Sequence, residues 1–188
     1  MVKTMSRMTK LGEKATSFTL PDFTGKYLNI DDYNKEKPLL VMFICNHCPY
    51  VKHIISTLSR IAKEIQALGV DVVAINSNDT ENFPEDSPEN MLKFSKLHEF
   101  SFPYLFDESQ DVAKSYQAAC TPDFFLYDKK RSLVYRGQMD NSRPENTHIC
   151  DGKDLIKAVS RLLKGMPNLD PQKPSMGCNI KWKVGNEP

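Results

Sequence analysis

Leu39-Leu40-Val41-Met42-Phe43-Ile44-Cys45-Asn46-His47-Cys48-Pro49 is the stretch of this 188-residue chain from which the fold is read. Its first six residues are uniformly apolar, the pattern of a strand covered on both faces. From Val51 the apolar positions take helical spacing, at Ile54, Ile55, Leu58, Ile61, Ile65 and Leu68, and Gly69 supplies a stop. Val70-Asp71-Val72-Val73-Ala74-Ile75 then reads as a second buried strand. Strand, helix and strand make a βαβ unit, which implies a right-handed crossover and a parallel pair. Cys45 and Cys48 therefore stand where a strand ends and a helix begins, the context in which a C-x-x-C reads as a redox motif. Two cysteines at that spacing can close a small disulfide ring with little backbone movement. The helix dipole and its unpaired N–H groups favour a thiolate there. Cys45 is expected to be the more exposed nucleophile, Cys48 to resolve the mixed disulfide, and His47 to add stabilisation when charged. Two other readings stay open. One is half of a zinc site, with His53, Cys120 and Cys178 able to serve as ligands only through the fold. The other is inert packing.

Outward from this unit, residues 19–28 read as two short strands around a Gly25 turn. Residues 76–90 are polar and hold Pro84 and Pro88, the signature of an exposed loop whose carboxylates serve solvation. The loop is expected to border the site, beyond the carboxyl end of a parallel strand. Helices are expected over residues 88–98, with Pro88 in the first turn, over 111–116, and over 151–163. Phe124-Phe125-Leu126-Tyr127-Asp128 and Leu133-Val134-Tyr135-Arg136-Gly137 flank the charged turn Lys129-Lys130-Arg131 and read as an antiparallel hairpin. Strands alternating with helices, closed by a hairpin, argue an α/β sandwich around a mixed sheet.

Composition narrows the function. Lys+Arg number 25 against 24 Asp+Glu, so the net charge of +1 leaves no electrostatic footprint for nucleic acid or an anionic membrane. No window approaches the roughly 20 apolar residues of a membrane span, and residues 1–16 are polar and basic without the apolar run of a signal peptide. A cytoplasmic protein is expected. Five cysteines are too sparse for a disulfide-stapled scaffold, and their odd count leaves one without an intramolecular partner.

Gly12-Glu13-x-Ala15-x-x-Phe18-x-Leu20, Gly25-Lys26, the apolar strand running into Cys45 and Pro49, and Thr121-Pro122 before Asp123-Phe124-Phe125-Leu126-Tyr127-Asp128 together resemble the thioredoxin superfamily. The likeness is closer to its alkyl hydroperoxide reductase/thiol-specific antioxidant branch and to the related membrane-anchored cytochrome-maturation thioredoxins. The tail, Ser175-Met176-Gly177-Cys178-Asn179-Ile180-Lys181-Trp182-Lys183, is similar to that of a peroxiredoxin-like subgroup. The resemblance implies one thioredoxin-like domain over residues 1–188, with a core at about 10–166 and a tail at 167–188. It implies a three-layer α/β/α sandwich with a mixed central sheet and an N-terminal β-hairpin extension.

It further implies a cis Thr121–Pro122 bond facing the cysteine pair, with the Thr121 backbone open to an extended substrate. Cys120 would lie beside the pair, as a participant or as packing. The activity implied is thiol–disulfide exchange without a bound cofactor or metal, on a protein or small-molecule thiol or disulfide. Electrons would come from a dithiol protein or glutathione. The competing activity is antioxidant thiol peroxidase chemistry at Cys48, which precedes Pro49 as the attacking cysteine of peroxiredoxins precedes a proline. Cys45 replaces the threonine that normally lies three residues earlier. Arg136 could be the distant activating arginine or a solvated strand-end charge. A non-catalytic metal- or partner-binding module is the remaining alternative. A histidine before the second cysteine and Ile44 in place of thioredoxin's tryptophan point to a potential less reducing than the roughly −270 mV of thioredoxin. Cys150 reads as a packing or surface thiol. Cys178 is either in a disordered tail or, because Ile180 and Trp182 need burial, in a docked one that brings it near the pair as a third redox partner.

Overall fold

A computed structural model describes residues 3–188; residues 1–2 of the expected domain lie outside them. The apolar run after Pro38 forms a strand buried at every position, and it is the middle of the architecture. In chain order the elements are β1 (Lys3–Met5), β2 (Thr19–Pro21), β3 (Tyr27–Asn29), β4 (Leu39–Phe43), α1 (Pro49–Ala67), β5 (Asp71–Asn76), α2 (Pro88–Leu97), β6 (Tyr104–Phe106), α3 (Asp111–Ser115), β7 (Cys120–Thr121), β8 (Asp123–Tyr127), β9 (Leu133–Gly137), α4 (Lys153–Leu163) and β10 (Met176–Asn179). Short 3-10 turns lie at Ile30–Asp32 and Pro84–Asp86.

The central sheet has five strands in the order β6-β5-β4-β8-β9. β4 runs parallel to β5 and β5 parallel to β6, whereas β8 is antiparallel to both β4 and β9. Alternation along β4 divides the core. Leu40 and Met42, with Ile44 beyond the strand, pack with Ile54, Leu58 and Ile61 of α1, Met91 of α2 and Leu155 of α4. Leu39, Val41 and Phe43 face the other way, against Ala113 of α3 and the β2–β3 hairpin through Leu20. The result is a thioredoxin-like α/β/α fold with a mixed central sheet. α4 starts two residues later than the pattern suggested, because Gly152 sits in the left-handed region (φ +69) ahead of it.

The tail is built into the molecule. β10 lies between β1 and β7, antiparallel to both, with Lys3 and Thr121 opposite Cys178. Ile180 and Trp182 pack into the core on the α3 side. Burial of those two residues adds to the strand pairing that holds the segment down.

Arg136 departs from both expectations. It is neither a solvated strand end nor an activator at the cysteines. Its side chain and that of Asp123 are wholly buried and paired at 3.2 Å. It also donates to the Gln117 carbonyl (2.7 Å) and Thr9 Oγ1 (3.1 Å), and lies over the Phe125 ring. The β8–β9 register puts Arg136 opposite Phe125, two residues from Asp123. Burial pushes the Asp123 carboxyl up to about 6, and Arg136 pulls against it.

Candidate functional site

The chain leaves β4 through Ile44 and Cys45 and re-enters regular structure at Cys48, the residue that caps α1, with Pro49 at the first helical position. Thr121, next to the cis Thr121–Pro122 bond, meets both cysteines. Its Oγ1 lies 3.2 Å from Cys45 Sγ and its carbonyl oxygen 3.3 Å from Cys48 Sγ. The expected juxtaposition of Cys45, Cys48, Thr121 and Pro122 is present. Cys178 joins them from β10, with its Sγ 2.8 Å from Cys48 Sγ. All five cysteines are thiols.

Two expectations change here. Cys45 is not the more exposed member of the pair, because both cysteines are 0% exposed. The Thr121 backbone is not open to an extended substrate, because β10 already pairs with it. The electrostatics of the two sulfurs diverge. Burial pushes the Cys45 thiol well up, and Cys48 and the nearby Asp86 add to the rise. Cys48 is held well below the ordinary thiol range by hydrogen bonding with Cys178 and Cys45, which outweighs burial, and the Val51 N–H contributes. Cys178 is pushed up by the same contact with Cys48 and by burial. The contact thus favours the thiolate on Cys48 over Cys178.

Asp86 is the site residue that sequence reasoning missed. Residues 76–90 do border the site, but this carboxylate is not solvated. It is completely buried and holds the turn between the cysteines. Its Oδ1 accepts from the Asn46 N–H (2.7 Å) and the His47 N–H (3.2 Å). Its Oδ2 accepts from Asn78 Nδ2 (2.7 Å) and lies 2.5 Å from His47 Nδ1. Asn46 is fixed in turn, donating from Nδ2 to the Glu85 carbonyl and accepting from the Tyr104 hydroxyl. The signal that could have found Asp86 is its place in the loop beyond the carboxyl end of a parallel strand, near amide-bearing Asn76 and Asn78.

His47 stacks on Phe83, with ring centroids 5.6 Å apart and an 11° interplanar angle. Its bonded nitrogen faces Asp86 rather than a sulfur, although the ligand atoms of Cys45, His47 and Asp86 lie within 4.8 Å of one another. That trio is a weak cation site: N–H donors already face both Asp86 oxygens and would oppose a metal ion. His53 is engaged elsewhere, with Nε2 2.7 Å from Ser142 Oγ. Cys120 is buried with its thiol toward the Pro122 and Ser175 carbonyls. Cys150 is half-buried, and Thr57 donates to its carbonyl.

The arrangement therefore gathers three sulfurs around Thr121 out of water, with Cys48 the one whose thiolate is favoured. A conserved protein of Geobacillus kaustophilus solved by crystallography is 48% identical, with a TM-score of 0.94 over 97% of each chain. The thiol-disulfide oxidoreductase ResA of Bacillus thuringiensis subsp. konkukian is 22% identical over 125 residues, 66% of this chain and 68% of its own. The peroxiredoxin Bcp of Escherichia coli K12 is 26% identical over 107 residues, 57% of this chain and 64% of its own. Residues 11–136 match the AhpC/TSA family. With its thioredoxin-like fold and its cysteine pair at the start of α1, the chain belongs to the AhpC/TSA family of the thioredoxin superfamily.

Proposed function

We propose that this protein is a thiol–disulfide oxidoreductase whose redox unit is Cys45 and Cys48. The observation that carries the reading is the geometry of the pair, with Cys45 Sγ 3.2 Å from Thr121 Oγ1 and Cys48 Sγ 3.3 Å from the Thr121 carbonyl oxygen at the start of α1; the Cys45 thiol is pushed up by burial and the Cys48 thiol is lowered by its hydrogen bonds with Cys178 and Cys45. Nucleophilic attack needs a thiolate, so the order expected from position in the motif is reversed in our reading. Cys48 attacks a disulfide substrate and releases one thiolate. Cys45 then loses its proton and attacks Cys48 Sγ, releasing the second. Asp86 keeps the Asn46-His47 turn in place while the two sulfurs approach. Because both are covered, substrate entry requires residues 176–179 to shift. A reducing compartment such as the cytoplasm would return electrons through a dithiol protein or glutathione. The similarity to ResA supports exchange as the class of reaction.

One observation favours a second reading, thiol peroxidase chemistry. The thiolate side of the pair is Cys48, before Pro49, and a covered site suits a small oxidant. Cys48 would then pass to a sulfenic acid that Cys45 condenses with, releasing water. Arg136 pairs with Asp123 rather than with either cysteine of the pair, which favours exchange as the stronger reading. The test follows reduction of glutathione disulfide with dithiothreitol as regenerant, alongside peroxide consumption. Cys48→Ser should abolish exchange, and a Cys45→Ser, Cys178→Ala double variant should accumulate a glutathione adduct on Cys48. Wild-type exchange by C48S would refute the assignment. Rapid peroxide consumption by wild type without disulfide exchange would transfer the function to the peroxidase reading.

A further inference from the structure

We infer that Cys178 is a second resolving thiol, which takes Cys48 over from Cys45 and leaves the oxidised protein closed by a bond between β10 and the start of α1. The inference rests on the exchange reading above and extends it to the C-terminal strand.

Three features carry it. Cys178 lies directly opposite Thr121 in an antiparallel pair, and residues so placed project to the same face. Thr121 uses that face to meet Cys45, so β10 delivers a third sulfur to the same point. The Cys48 and Cys178 sulfurs are 2.8 Å apart, against about 2.0 Å in a disulfide, so bond formation asks for a movement under about 1 Å. The approach is also built into the backbone. A Cβ on Gly177 would lie 1.9 Å from the Thr121 carbonyl oxygen and 3.1 Å from Pro122 Cδ, so only glycine lets β10 close over the cis bond. Beyond the strand, Lys181 locks the segment to the Asp86 loop. Its N–H donates to Asn78 Oδ1 (2.9 Å), and its carbonyl accepts from the Asp79 N–H (2.8 Å).

The chemistry is an internal exchange. Exchange with the substrate first leaves a Cys45–Cys48 disulfide. Cys178 gives up its proton and attacks Cys48 Sγ. The Cys48–Cys178 bond forms, the Cys45–Cys48 bond breaks, and Cys45 leaves as a thiolate that takes the proton. No further oxidant or reductant is consumed. Burial favours the neutral thiol at Cys45, so the step ends with that sulfur in its preferred state. In the reduced protein β10 is held by hydrogen bonds, and in the oxidised protein it is tied covalently across the pair.

The test oxidises the full chain with glutathione disulfide, quenches in acid, alkylates the remaining thiols and maps disulfides by peptide mass. The wild type should yield a Cys48–Cys178-linked peptide. C45S, with four cysteines remaining of the five, should lose two of those thiols to the same link. A wild type yielding Cys45–Cys48 as its sole disulfide, with C45S stopping at a glutathione adduct, would overturn the inference and leave the exchange reading standing. Absence of any disulfide or adduct at Cys45 or Cys48 would overturn both.

Discussion

Asp86→Ala should be the most damaging small change near the cysteines. The carboxylate is completely buried and takes the N–H groups of Asn46 and His47, Asn78 Nδ2 and the His47 ring. Removing it orphans several buried donors at once. Each buried polar group left unsatisfied costs about 1–3 kcal/mol, and water entering the space recovers part of that, so a loss of about 3–5 kcal/mol is expected. With a urea m-value of about 2 kcal/mol/M, the midpoint should fall by about 2 M. The assay is urea unfolding under reducing conditions, followed by far-ultraviolet circular dichroism and by the fluorescence of Trp182, the sole tryptophan. Asp86→Asn supplies a second, electrostatic readout. The Asp86 charge is one cause of the raised Cys45 thiol, so its removal should bring Cys45 ionisation to lower pH. That shift is read from thiolate absorbance in a Cys48→Ser background. A midpoint for Asp86→Ala within about 0.3 M of wild type, or a Cys45 titration that does not move down in Asp86→Asn, would refute the role given to this carboxylate.

The depressed Cys48 thiol stabilises the reduced form, so the protein should be a weaker reductant than thioredoxin; a midpoint at or below about −270 mV in glutathione buffers would contradict that. Gly177→Val should lift β10 from the cis bond, where even a Cβ meets the Thr121 carbonyl at 1.9 Å. Alkylation of Cys45 and Cys48 by N-ethylmaleimide should then accelerate about tenfold or more, as expected when a local opening becomes easier by about 1.4 kcal/mol, and an unchanged rate counts against β10 as the cover. Arg136→Met leaves Asp123 unpaired in the core and should cost about 3–5 kcal/mol, measured by the same urea melts; a cost under about 1 kcal/mol would be incompatible with a buried pair. The Asp123 carboxyl, raised by burial from 3.8 to about 6, binds its proton more tightly folded than unfolded. Its contribution to stability is therefore fully present below about pH 3.8 and is lost as pH rises through about 6. Asp123→Asn should flatten stability across that window, and an unaltered pH profile would show that the carboxyl does not titrate there.

The two buried residues in those tests show where reading along the chain stops. Asp86 and Arg136 are charged, and charge in a loop or at a strand end reads as solvated because burial without partners is costly. Their partners are remote or unremarkable in sequence: Asn46, His47 and Asn78 for one, Asp123 and Gln117 for the other. Those partners arrive only when the Pro84–Asp86 turn folds under the motif and β8 pairs with β9. The presence and order of the helices and the β8–β9 hairpin, by contrast, depend on turn residues and periodicity within a few positions, and they are legible.

The family resemblance implied that Thr121-Pro122 faces the cysteine pair; by itself the sequence determined that a buried strand runs into a C-x-x-C at a helix start, within a parallel βαβ unit. Those features follow from hydrophobic period, capping and motif spacing, which act over short stretches of chain. Tertiary structure decided which sulfur is favoured as the thiolate, what covers the pair, and that Cys178, 130 residues from Cys48, touches it. The ionisation of a thiol depends on the water removed and the donors aimed at it, and both are set by segments that meet only after folding.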